Sequence, residues 1–105
     1  VPLVKRDEKS AVFGSRISIG RARNVDVVLR HPSVSKLHAW FEHLDDGTLV
    51  IADAGTTNGT RLRGRRLAAR TLLPAQHGDV LRFGAVEALL CNSDTVWQLL
   101  RRLGR

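Results

Sequence analysis

Three threonines and an asparagine, set among glycines, fill the run Asp53-Ala54-Gly55-Thr56-Thr57-Asn58-Gly59-Thr60, directly behind the apolar stretch Leu49-Val50-Ile51-Ala52. Hydroxyls and an amide so placed read as a strand ending in a rigid polar loop rather than in a plain hairpin turn. Two further segments carry complementary groups. Gly20-Arg21 ends an earlier strand, and Ser35-Lys36-Leu37-His38 opens another. Together the three loops offer a guanidinium, an ammonium, hydroxyls and an amide, the donors that hold an oxyanion such as phosphate. Singly these features are ordinary: Asn-Gly is a common turn and Asp53 a common strand-end cap.

His38, three residues after Ser35 and with Asp53 elsewhere in the chain, also raises a Ser-His-Asp hydrolase. Strand geometry argues against it, because residues at odd spacing point to opposite faces. No nucleophile-elbow glycine pattern surrounds Ser35 either. His31, His43 and His77 show no metal-ligand spacing with His38, so no metal and no cofactor is expected.

The elements that must carry these loops are short strands. Arg16-Ile17-Ser18-Ile19 alternates, with both isoleucines on one face, before Gly20-Arg21 breaks the run. Val25-Asp26-Val27-Val28-Leu29 reads as a second, more buried strand, and His31-Pro32-Ser33-Val34 as a loop, since proline restricts itself and its predecessor. From Leu37 to Leu44 the chain alternates again, with Leu37, Ala39 and Phe41 on one face. Asp45-Asp46-Gly47 turns it into a strand from Thr48 to Ala52. Gln76-His77-Gly78-Asp79 is a turn before Val80-Leu81-Arg82-Phe83, and a last strand runs from Val86 to Cys91. Repeated short strands between turn signals predict an all-β sandwich or barrel. The tail changes period: Val96, Leu99, Leu100 and Leu103 follow helical spacing, with Ser93, Asp94 or Thr95 as N-cap and Gly104 near the end. A short amphipathic helix is expected there, docked on the sandwich or leading toward a neighbouring domain.

At 105 residues and 43% hydrophobic content, one folded domain can bury a core without staples. A single cysteine, Cys91, excludes an internal disulfide and argues against a cysteine-based zinc site. In the run Ala88-Leu89-Leu90-Cys91 it is expected as a small buried core residue. No stretch is long enough to span a bilayer and no signal-peptide pattern opens the chain. With no methionine and Val1 at its start, the chain reads as an excised or processed domain of cytoplasmic origin. Net charge is +7, from 17 Lys+Arg against 10 Asp+Glu. That favours nucleic acid, a membrane surface or a phosphoprotein as partner, or marks a solvated arginine-rich surface.

Four segments together carry a family resemblance: Ile19-Gly20-Arg21, Val34-Ser35-Lys36-Leu37-His38-Ala39, Asp53-Ala54-Gly55-Thr56-Thr57-Asn58-Gly59-Thr60 and Gly78-Asp79-Val80-Leu81-Arg82-Phe83-Gly84. In order and spacing they resemble the forkhead-associated (FHA) domain, over roughly Ile17 to Leu90. The resemblance implies a β-sandwich of short antiparallel strands over residues 1–92, followed by the helix or linker at 93–105. Loops at one end would bind phosphothreonine in a partner protein. Arg21 would approach the phosphate or the adjacent peptide backbone as a permanent cation with directed donors. Ser35 would donate its hydroxyl, and Lys36, standing where arginine is commoner in the family, would add a flexible charge. Thr57 would line the surface, and Asn58 would hold the backbone of an extended peptide. Gly20, His38 and Gly59 would be structural, His38 bracing the loops by hydrogen bonds.

The function so implied is non-enzymatic recognition of a segment phosphorylated by a Ser/Thr kinase, on another protein or on a flanking part of the same chain, with no membrane partner. The alternative is a basic nucleic-acid-binding β-domain using Arg61, Arg63, Arg65 and Arg66, for which the chain offers few aromatics, 5%, and no evident stacking platform. A basic rim beside the Thr57-Asn58-Gly59-Thr60 loop would also favour acidic residues flanking the phosphothreonine.

Overall fold

Alternation settles most of the strands. The computed structural model describes residue 3, residues 16–93 and residues 96–101. In β1 (Arg16–Gly20), Ile17 and Ile19 are buried and Arg16 is exposed. It pairs with β2 (Val27–Val28) in parallel and β3 (Ala39–His43) antiparallel. Next to β3 lies β4 (Leu49–Asp53), buried along its whole length. Its outward side is roofed by Trp40, paired with Ala52, whose indole N–H donates to Glu42 at 2.9 Å and whose ring lies 4.7 Å under the Arg16 guanidinium. The second sheet begins with β5 (Thr60–Leu62) and β6 (Arg65–Arg66), a hairpin. Arg63 and Gly64 close its two-residue turn, both with positive φ, as hairpin twist favours. β7 (Leu73–Ala75) returns to the first sheet, and β8 (Val80–Phe83), β9 (Val86–Ser93) and β10 (Val96–Arg101) complete the second.

The result is an all-β sandwich, as expected: one sheet ordered β2-β1-β3-β4-β7, the other β10-β9-β8-β5-β6. One apolar cluster joins them, with Ile17, Ile19, Phe41 and Ile51 from the first and Leu62, Leu81, Phe83 and Leu90 from the second. Every loop described below hangs from this cluster.

The tail corrects the sequence expectation. Residues 96–101 are not helical but form β10, paired antiparallel with β9 over its whole length. Leu99 is buried while Leu100 is 44% exposed, so the two adjacent leucines that suggested a helical stripe point to opposite faces. The long β9 offers an open edge whose backbone groups need partners, and a helix this short has little intrinsic stability to compete with them. The N-cap candidates Asp94 and Thr95, and Leu103 and Gly104, lie outside the described residues. Three smaller expectations also shift. Leu37 is half exposed and precedes β3 rather than sharing its buried face. The second strand is confined to Val27–Val28, because Asp26 turns its carboxylate to the Ser18 N–H at 2.7 Å. Cys91 is only partly buried.

Candidate functional site

Gly20 lets two loops touch. It ends β1 directly against the Ser35-Lys36 backbone, and a Cβ there would lie 2.8 Å from the Lys36 carbonyl carbon and 3.0 Å from the Ser35 oxygen. The next two residues then bond across: the Arg21 N–H donates to the Ser35 carbonyl at 2.9 Å and the Ala22 N–H to that of Lys36 at 3.2 Å. The Arg21 side chain folds over the same loop, its Nε–H donating to the Val34 carbonyl at 2.9 Å. A guanidinium has five N–H donors, so fixing Nε leaves the donors of both Nη atoms for an anion.

His38 is the pin beneath these loops. It is fully buried, with the Phe83 ring edge-on at 6.0 Å. Its Nδ1 accepts the Ser35 backbone N–H at 3.0 Å, which leaves the ring proton on Nε2, and Nε2–H donates to the Gly59 carbonyl at 2.9 Å. One imidazole therefore ties the Ser35 loop to the Asn58 loop. The same bonds dispose of the hydrolase geometry, since Ser35 meets His38 through its backbone and both ring nitrogens are committed elsewhere than to Asp53.

Asp53 organises the third loop. Its Oδ2 accepts the N–H groups of Gly55 and Thr56 at 2.8 and 2.9 Å, and its Oδ1 the hydroxyls of Thr56 and Thr60 at 2.8 and 2.7 Å. The Thr56 hydroxyl in turn accepts the Gly59 N–H at 2.9 Å. Gly59 sits at φ +80°, a left-handed conformation that side chains rarely adopt. Burial alone would raise the Asp53 carboxyl, but the Thr60, Thr56 and Gly55 bonds together outweigh it and hold the group below the ordinary 3.8. The ionised form is the one the loop stabilises. Stability from Asp53 is thus fully present above about pH 4 and is lost as pH falls through the lower folded value. Asp53→Asn is expected to cost about 2 kcal/mol at neutral pH. Urea titrations of parent and variant from pH 6 to pH 2 should converge at the acid end; a constant gap would show that the charge is not what matters.

Ser35, Lys36, Arg21, Thr57 and Asn58 thus share one rim. Lys36, Thr57 and Asn58 are exposed, Ser35 is half-buried, and the Asn58 amide donates to the Ser33 carbonyl at 2.8 Å, closing the rim across two loops. Gly20, His38 and Gly59 lie beneath it. The arginines considered for nucleic acid do not form one free strip. Arg63 pairs with Asp79 at 2.6 Å, Arg61 donates to the Gly64 carbonyl at 3.2 Å, and Arg66 reaches the Thr57 carbonyl at 3.0 Å. Only Arg66 of these touches the recognition loop. Sequence reasoning missed Ser33, whose carbonyl accepts from Asn58 and whose hydroxyl accepts the Ala85 N–H at 2.8 Å. Nothing local marks it, because its partners lie 25 and 52 residues away.

Loops braced in this way at the edge of a mainly antiparallel sandwich, presenting cations, hydroxyls and an amide outward, define a β-sandwich recognition module for an anionic partner. The chain belongs to the forkhead-associated family: the FHA domain profile matches residues 17–84. An FHA domain-containing protein of Arabidopsis thaliana is 34% identical over 80 residues, 75% of this chain and 20% of that protein. The FHA-2 domain of the Mycobacterium tuberculosis ABC transporter Rv1747 superposes with a TM-score of 0.68 at 27% identity, over 88% of this chain and 78% of that one. The FhaA FHA domain, solved in complex with the intracellular domain of Rv3910, gives a TM-score of 0.62 at 27% identity, over 70% and 76%. The chain spans 10% to 21% of the length of three curated relatives, that Arabidopsis protein among them.

Proposed function

We propose that this domain binds phosphothreonine in an extended segment of a protein phosphorylated by a Ser/Thr kinase, and that it does so without catalysis. The observation that carries the reading is the convergence of Arg21, Ser35, Lys36 and Asn58 on one rim, tied together by His38. A phosphate dianion set there meets the Nη donors of Arg21, the Ser35 hydroxyl and the Lys36 ammonium, while Thr57 and Asn58 face the peptide running across. Charge-assisted bonds of this kind are strong because the anion loses little hydration without gaining a donor. The FHA domain of FhaA, with a protein partner bound, supports recognition of a polypeptide rather than a small anion. A cytoplasmic setting, where kinases meet their substrates, completes the proposal; no helix among the described residues is long and apolar enough to cross a membrane.

Calorimetry with one peptide in phosphorylated and unmodified forms tests this. Two bonds to the phosphate, each worth roughly 1.5–3 kcal/mol, should separate the two forms by about a hundredfold or more. Ser35→Ala should lose much of that difference with an unchanged thermal melt, since its side chain stands on a loop. Equal affinity for both peptides would sink the proposal.

A further inference from the structure

A hairpin returns Arg66 to the loop from which the hairpin sets out. β5 leads away from Thr60, the Arg63-Gly64 turn reverses the chain, and β6 runs back with Arg66 opposite Arg61. The Leu67 N–H then closes on the Thr60 carbonyl at 2.8 Å. So placed, the guanidinium lies against Gly59: a Cβ there would stand 2.6 Å from its Nε and 2.9 Å from its Cζ. The missing side chain at Gly59 therefore makes room for Arg66 as well as permitting the positive φ. From this position one nitrogen, Nη2, donates to two successive carbonyls, that of Thr57 at 3.0 Å and that of Thr56 at 3.5 Å. It carries two N–H groups, one for each.

Those two carbonyls belong to the peptide units whose nitrogens are those of Thr57 and Asn58. In a trans unit the C=O and the N–H point in opposite directions. Holding both carbonyls toward β6 therefore turns both N–H groups away from it. Neither N–H has a partner among the described residues, although the loop around them is tied down at Thr56, at Gly59 and through the Asn58 amide. We infer that Arg66 is a positioning residue: without touching the bound segment, it fixes these two peptide units so that the Thr57 and Asn58 N–H groups face that segment as donors. The inference rests on the phosphothreonine reading and adds to it the group that sets the recognition loop from behind. A carbonyl that accepts from a cation also polarises its peptide unit, which makes the N–H at the other end a better donor. By position in the sequence Arg66 is a rim charge; its bonds assign its effect to backbone geometry instead, which salt does not screen as it screens exposed charges.

The test is calorimetry at low and at high salt, with one phosphothreonine peptide of neutral flanks and its unmodified form, on the parent, Arg66→Ala, Arg66→Lys and Arg65→Ala. Arg66→Ala should weaken binding of the phosphorylated peptide by about tenfold, and by the same factor at both salt concentrations. Arg66→Lys keeps the charge but not the planar fork, and should lose about threefold or more. Arg65→Ala removes the same charge from the same strand and should bind within about twofold of the parent. Melting temperatures should stay within about 4 °C of the parent's, because both arginines are exposed on a two-residue edge strand. In the parent, the phosphorylated peptide should shift the Thr57 and Asn58 amide proton resonances downfield, and those shifts should shrink in Arg66→Ala. The inference is overturned if Arg66→Ala binds like the parent, if its loss disappears at high salt or is matched by Arg65→Ala, or if the two amide shifts are unchanged. Should Arg66→Ala melt far below the parent, Arg66→Lys decides, and binding equal to the parent's overturns the inference. If the parent does not prefer the phosphorylated peptide, the phosphothreonine reading falls and takes this role with it; the other negative outcomes leave that reading intact.

Discussion

Gly20→Ala is expected to cost about 3 kcal/mol or more and to weaken phosphopeptide binding by over a hundredfold. One methyl group suffices because of what it meets. The added Cβ would overlap the carbonyl of Lys36 and press on that of Ser35, and both contacts are backbone, which cannot rotate away as a side chain could. Relief requires β1 and the Ser35-Lys36 loop to part. That breaks the bonds from the Arg21 and Ala22 N–H groups and removes Arg21 from the rim. Gly47 supplies the control: it sits at φ +88° in the β3–β4 turn with open space where a Cβ would go. Gly47→Ala should cost only about 1–2 kcal/mol of backbone strain and leave binding unchanged. Guanidinium titrations and calorimetry on the two variants check both halves. Similar behaviour of the two would mean that the close approach at Gly20 does not support the site.

His38→Ala should be as damaging by a different route. The ring is fully buried against Phe83, so truncation leaves a cavity. It also strands the half-buried Ser35 N–H, and leaves the Gly59 carbonyl with only one of its two donors, the Gly84 N–H at 3.0 Å. Cavity and lost bonds together come to about 3–5 kcal/mol, a large part of what holds a domain of this size folded. Because His38 lies under both loops, affinity should fall with stability even though the ring is shielded from any peptide. Amide exchange gives a finer readout: the Ser35 N–H should lose its protection. Retained stability within 1 kcal/mol of the parent would show the imidazole to be dispensable.

The strand pattern was legible wherever one face is buried and the other wet. Arg16-Ile17-Ser18-Ile19 and Val80-Leu81-Arg82-Phe83 alternate in sequence and form β1 and β8. The tail was misjudged for a physical reason: Val96, Leu99, Leu100 and Leu103 fit a helix only if each is core, and Leu100 is not. Pairing to β9 decides that segment, and pairing lies between segments rather than within one. β7 was missed because Pro74 speaks against a strand, and it is tolerated there at the sheet's edge. At the candidate site, Arg21, Ser35, Lys36, Thr57 and Asn58 were visible from residue type and order. Ser33 was not, because its position follows from contacts made across half the chain.

The borders of the two sheets carry a consequence for behaviour at high concentration. A sandwich with bare strands at its margins invites a second molecule to add on, and chains that do so coalesce. Here β2 and β6 are two residues long, β6 consists of arginines alone, and β7 is interrupted by Pro74. The remaining margin, β10, is six residues long and carries exposed Leu100, but the N–H of Leu3 closes on the Trp97 carbonyl at 2.9 Å. Leu3 lies outside the four family motifs, yet its N–H occupies a backbone acceptor on the one extended margin among the described residues, so trimming the domain to those motifs would bare that acceptor and favour self-association.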